Sequence, residues 1–396
     1  MRCRRRHQDA EEGSTSEKGS KISQALPDFM EDYLIKTLWW LLPIGVLLGC
    51  AERPRDPTEN ESSLSLVIVG QALIEHDPRS YLDNPLNTVA PLLREADAVF
   101  TNLEVAVAGQ GCICEPTRED VYFHGAGPEV IDYLKDLGVS LLSLANNHSW
   151  DYGAAGVLST IAEVNARGLT HSGTGADLIA ALAPAYLYVG DLRLSLVSAA
   201  SVNSPDDARA TETRAGVNML DPSSSADWER NLESIRVASA ESDLAIVYQH
   251  YQTDAEPGWQ EEWARAAIDA GADIYVSHGE PTLMGVEVYQ SGLILYGLGN
   301  FIFNTKTELG RYTSDAWQSV IADILLDDRG VIEVTFTPVA LDPGTEGPLF
   351  FETRGYPEVA VGAVGESILS RLLDLSAAYG TSLELVDGKA VLRILG

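Results

Sequence analysis

Seven histidines occur among the 396 residues. Three of them, His148, His250 and His278, lie two or three residues beyond apolar runs that read as buried strands (139–145, 244–248 and 274–276). Two other runs that read as strands end in Gln71 and in Asn102 with Glu104, and Asn146 and Asn147 stand directly before His148. Imidazole binds a metal or carries a proton, and carboxylate and carboxamide groups offer oxygens. Such groups at the carboxyl ends of strands are where an open α/β sheet places its chemistry. The mixture suits one or two divalent ions, Mn, Zn or Fe, which activate water and brace a displacement. The competing reading makes each histidine a hydrogen-bonded core or cap residue. It makes the turn Asn146-Asn147-His148-Ser149-Trp150-Asp151 a helix cap.

The elements that would carry these groups alternate. Strands are expected at 64–70, 98–104, 139–145, 194–200, 244–248 and 274–276. Helices are expected at 88–97, 128–137, 154–167, 225–240 and 261–270. This order argues for α/β layers. From Gly285 on, short apolar runs lie close together around Gly292 and Asp328-Arg329-Gly330, which reads as antiparallel hairpins. A helix near 364–379 and a hairpin at Asp387-Gly388 finish the chain. The expected class is therefore α/β with α+β character: mixed sheets flanked by helices and a hairpin-rich second half. His171 reads as part of a loop, and Arg214 to Asn218 as a surface turn or a substrate contact.

The amino-terminal part has another character. Residues 1–29 read as disordered, or as the product of a start assigned too early with Met30 the true start. Residues 30–50 read as a signal peptide: Leu38 to Gly49 is too short to span a bilayer, and Leu47-Leu48-Gly49-Cys50 has the form of a lipoprotein cleavage box. Residues 51–63 read as a linker, 64–345 as the main domain and 346–396 as a helix-and-hairpin extension. The expected location is exported, periplasmic or cell-surface, lipid-anchored to the membrane. The net charge of −31 repels polyanions, so nucleic acid is excluded as a partner, and an acidic ligand requires local cations. Cys112 and Cys114 have no second pair to complete a zinc site, and their spacing is awkward for a bridge within one strand.

Taken together the motifs resemble the poly-γ-glutamate capsule-synthesis (CapA-like) family, related in fold to the calcineurin-like metallophosphoesterases. The resemblance rests on Thr101-Asn102-Leu103-Glu104, on Ala145-Asn146-Asn147-His148 with Asp151-Tyr152-Gly153, and on Ile268-Asp269-Ala270-Gly271-Ala272-Asp273. It extends to Gly285-Val286-Glu287-Val288-Tyr289 and Tyr296-Gly297-Leu298-Gly299-Asn300-Phe301. It implies a layered fold with Glu104, Asn147, His250 and His278 as metal ligands. It implies that His148 is the catalytic imidazole, which requires a pKa kept near neutrality. Asn102, Asn146, Asp151, Gln71 and Glu280 are accessory positions.

Two departures stand out. Gln71 occupies the place of a ligand aspartate, and Pro281 that of a second histidine, with Glu280 or His76 as candidates to compensate. The functions implied are synthesis or escort of a surface polyanion, metal-dependent hydrolysis of a phosphoester or other small-molecule substrate, or non-catalytic binding on the same fold.

Overall fold

The computed structural model describes residues 63–202, 205–252, 258–327 and 329–394. The proposed leader, the lipid box and all of the linker before Ser63 lie outside the described residues.

Two mixed sheets face each other. In the first, Leu64–Ile68, Ala98–Asn102, Leu141–Ser143 and Thr170–Ser172 run parallel in that order. On its other side Leu64–Ile68 pairs antiparallel with Gln318–Asp327, which continues through Gly330–Leu341 to Lys389–Arg393 and Glu384–Val386. In the second sheet Leu192–Val202, Leu244–Gln252, Ile274–Gly279 and Gly292–Leu295 are parallel. Antiparallel edge strands Ala185–Val189 and Val286–Tyr289 close it.

Alternation along the strands fixes which face meets which layer. Leu66, Ile68 and Phe100 of the first sheet and Leu244, Ile246 and Tyr248 of the second share one core between the sheets. The Phe100 and Tyr248 rings meet at 5.5 Å. The intervening residues Val67, Val69 and Val99 turn outward against Val130, Ile131 and Leu134 of the helix Glu129–Asp136. On the outer face of the second sheet, Val197, Val247 and Tyr275 pack on Leu232 and Ile235 of Ser225–Ala240 and on Trp263 and Ala267 of Trp259–Asp269. The result is helix, sheet, sheet, helix, the layering that the family resemblance implies.

Several boundaries differ from expectation. The strands ending in His250 and His278 do not stop before them: Leu244–Gln252 and Ile274–Gly279 continue through both histidines. Parallel neighbours pair these residues directly, so the ladder persists through polar side chains. The first strand instead breaks after Ile68, and Gln71–Leu73 forms a separate pair with Asn300–Phe303. Gly70 permits this: a Cβ there would stand 2.3 Å from the Gly299 carbonyl oxygen. His171 lies on the edge strand Thr170–Ser172, not in a loop. Beyond residue 345, Pro357–Val359 and Lys389–Arg393 both pair with Gly330–Leu341, which joins the helix-and-hairpin segment to the first sheet. The Asp387-Gly388 hairpin is present, with φ of 49° and 74° at its two turn residues, as a tight two-residue hairpin turn requires. Cys112 and Cys114 are disulfide-bonded in the loop before His124, outside any strand, which is why the spacing objection fails.

Candidate functional site

The turn after Leu141–Ser143 is tied from within. Asn146 Nδ2 donates to Asn102 Oδ1 at 3.0 Å and to the Leu103 carbonyl at 2.8 Å, while its Oδ1 accepts the His148 main-chain N–H at 3.0 Å. Asn146 is thereby consumed in shaping the turn. Asp151 does not cap the following helix Gly153–Ala166, whose start has no side-chain cap. Its Oδ2 instead accepts the His124 main-chain N–H at 2.7 Å and lies 2.9 Å from His148 Nδ1.

From this scaffold a cleft of about 630 Å³ opens, with Glu104, Arg118, His124, Asn147, His148 and Asp151 among its walls. His250 and His278 lie beneath it, fully buried and opposite each other on adjacent strands. His250 Nε2 stands 3.6 Å from Glu104 Oε1. The Tyr248 hydroxyl is 3.2 Å from His250 Nδ1 and can accept its proton, which leaves the Nε2 lone pair toward the carboxylate.

Burial dominates the electrostatics. It pushes the Glu104 carboxyl well above the usual carboxylate range, and Asp151 adds to the rise. Burial holds His250 and His278 down to about 3, with the neighbouring histidines, His148 and His250 respectively, acting in the same direction. Asp151 is raised to about 6 by burial, against the lowering effect of the His124 amide. His148 does not keep a near-neutral pKa: burial drives it well below the ordinary histidine range, and His124 and Arg118 add to the fall.

The donor set can be tested against a divalent ion. Glu104 Oε2, Asn147 Oδ1, His250 Nε2 and both ring nitrogens of His278 are sealed from solvent without a hydrogen-bond partner. Buried polar atoms rarely stay unpaired, and each costs about 1–3 kcal/mol. The 3.6 Å between His250 and Glu104 is close to the ~3.4 Å between two tetrahedral ligands of one ion with bonds near 2.1 Å. Among the described residues, no three His, Cys, Asp or Glu side chains form a finished ligand cluster. Glu104, His250 and His278 are themselves three such side chains, so only the Glu104–His250 approach has the spacing of two ligands of one ion. By donor chemistry alone, two imidazoles, one carboxylate and one carboxamide suit a borderline ion, and a bound ion would favour the charged form of Glu104.

The accessory positions separate. Gln71 Nε2 donates to Asn300 Oδ1 at 2.9 Å, and its Oε1 accepts the Gly279 N–H at 3.0 Å, so its carboxamide is a structural tie. Glu280 is exposed and outside the cleft wall. His76 faces away, with Nε2 2.8 Å from the Glu352 carbonyl oxygen and 3.1 Å from the Tyr356 hydroxyl. Asn102 accepts from Asn146 and brings its Nδ2 to 3.5 Å from His250 Nδ1.

Sequence reasoning passed over His124, which lines the cleft, and its partners Glu75 and Lys306. His124 Nδ1 bonds Glu75 Oε1, and Lys306 Nζ lies 2.9 Å from Glu75 Oε2. The His124 and His148 rings meet edge to face at 4.4 Å. His124 sits in a loop, and Glu75 is 49 residues away, so neither periodicity nor spacing connects them.

Two facing sheets between helices, with a cleft lined by imidazole, carboxylate and carboxamide groups, define a layered α/β protein. Residues 65–305 match the family described as bacterial capsule synthesis protein PGA_cap, and the chain belongs to that family. The PGA biosynthesis protein CapA of Bacillus subtilis (strain 168) is 28% identical over 310 residues, covering 76% of this chain and 78% of its own. The capsule biosynthesis protein CapA of Bacillus anthracis is 27% identical over 310 residues, covering 76% and 72%. A probable polyglutamine synthesis accessory protein of Mycobacterium tuberculosis (strain CDC 1551 / Oshkosh) is 29% identical over 214 residues, covering 52% and 55%.

Proposed function

We propose that this capsule-biosynthesis protein works on a poly-γ-glutamate-like surface polyanion and holds a divalent ion, Mn, Zn or Fe, beneath the cleft. Glu104, Asn147, His250 and His278 would hold the ion. The observation that carries this reading is their set of buried, unpartnered donor atoms. The bound ion would supply a local positive charge in a chain of net charge −31, and so a means of attracting an acidic polymer. The chain's own residues do the rest: Asn146 fixes the turn, Asp151 fixes His124 and His148 together, and Arg118 adds a cation to the wall.

A second reading, metal-dependent hydrolysis, is favoured by one specific feature. Two imidazoles, each paired with a carboxylate, stand in contact at the cleft wall, an arrangement suited to moving protons. The Cys112–Cys114 bridge is in keeping with the oxidising compartment that an exported protein would meet. Among the described residues, no helix is long and apolar enough to cross a membrane.

Elemental analysis of protein purified without added metal, compared with His278→Ala, tests the metal reading. Stoichiometric Mn, Zn or Fe in the parent and its loss in the variant is the expected result. A parent free of metal that binds none on titration refutes it.

A further inference from the structure

The family resemblance assigns the chemistry to His148, yet both nitrogens of that ring are committed. Nδ1 lies 2.9 Å from Asp151, and Nε2 is 2.8 Å from Asn147 Nδ2. With Nε2 accepting from the carboxamide, the ring fixes the Asn147 amide plane and turns Oδ1 away, leaving that oxygen unpartnered. His124 is placed differently. Its Nδ1 is taken by Glu75, which Lys306 braces at 2.9 Å from the other side. Its backbone is pinned by Asp151 at 2.7 Å. The residue lines the cleft, and its Nε2 makes no hydrogen bond to any described residue and is not among the sealed-off atoms.

We propose that His124 is the imidazole that touches the substrate, oriented by Glu75, and that His148 is a positioning residue that aims the Asn147 carboxamide oxygen at the ion. The assignment rests on the metal reading above. A carboxylate fixing one ring nitrogen while the other faces the ligand is the general way such rings are aimed. Glu75, Lys306 and Phe123 supply the frame: Lys306 Nζ donates to the Phe123 carbonyl at 3.0 Å, which locks the chain on the residue before His124. The ligand chemistry that fits His124 Nε2 beside Arg118 is an acidic or carbonyl oxygen, as a polyglutamate chain presents in both its side groups and its amide links.

Two measurements test it on the full chain. The first is Mn affinity by calorimetry in the parent, His148→Ala, His148→Gln and His124→Gln, with thermal midpoints as folding controls. His148→Ala is expected to weaken Mn binding by about tenfold or more. His148→Gln restores an acceptor for Asn147 and most of the affinity, and His124→Gln leaves it unchanged. The second is carbethoxylation of the unmodified protein by diethyl pyrocarbonate, mapped by mass spectrometry with and without poly-γ-glutamate. His124 is expected to react ahead of His148, His250 and His278, and the polymer to protect it. If His148 reacts first, or the polymer leaves His124 unprotected, or His124→Gln loses the ion while His148→Ala keeps it, the assignment is overturned. A parent that binds no Mn overturns the metal reading itself, and that outcome is distinguishable because the labelling needs no metal.

Discussion

His250 and His278 face each other in register on neighbouring parallel strands, and between them three ring nitrogens lack any partner. A structural pair would be expected to bond to each other or to a carbonyl, so the arrangement costs stability in the metal-free protein. We therefore expect His278→Leu to raise the stability of metal-free protein, by about 1–3 kcal/mol for removing unsatisfied buried groups. With Mn present the order should reverse, because the parent gains binding free energy that the variant lacks. Urea unfolding with and without metal checks both. A variant less stable than the parent in both states would make His278 a packing residue.

Gln71 supplies a contrast. Its two hydrogen bonds join the strand break at Gly70 to Asn300 and to the Gly279 amide beside His278. Gln71→Leu leaves both partners unsatisfied, and the expected loss is about 2–4 kcal/mol in urea unfolding. Metal content per folded chain should not change. A variant that folds normally and loses its ion would return Gln71 to the ligand set.

Residue type and strand order reveal much of this architecture in advance, because alternation in Leu64 to Val69 and in Leu244 to Tyr248 is a local property. The helix Ser225–Ala240 coincides with its expected span because a Ser224 cap and an apolar face are both written locally. The continuation of the strands through His250 and His278 is not local: it depends on parallel partners contributed by distant segments. The Glu75–His124 pair is invisible for the same reason, since only the fold brings a post-strand residue against a loop residue. Likewise Gln71 looks like a weakened ligand in the sequence, and its two committed bonds emerge only when Asn300 and Gly279 are placed around it.

Gly279 has φ of +123°, and a Cβ there would lie 2.2 Å from the Tyr251 carbonyl oxygen. The backbone must therefore shift in Gly279→Ala, and the next residue back is His278. Strain of this kind costs about 1–3 kcal/mol or more. The variant should unfold at lower temperature and bind Mn more weakly than the parent, both visible by calorimetry. Normal metal affinity in a destabilised Gly279→Ala would show that His278 does not need this turn to be aimed.

Asp151 sets a pH dependence with a definite sign. Burial raises its pKa to about 6, while in the unfolded chain it titrates near 3.8. Between these values the folded state holds more protons, so this group's contribution to stability falls as pH rises and levels off above about 6. Two units correspond to roughly 3 kcal/mol, as an upper bound. His148 contributes the opposite slope, because its depressed pKa makes the unfolded chain the better proton binder below about 6.5. Asp151→Asn removes the first effect and retains the second, and an amide oxygen can still accept from His124 and His148. Its stability relative to the parent should therefore climb between about pH 4 and pH 6.5 and then stay level. Urea midpoints of both proteins across that range measure the difference. A flat difference would mean that Asp151 is ionised throughout, held so by a cation in the cleft rather than by the protein alone.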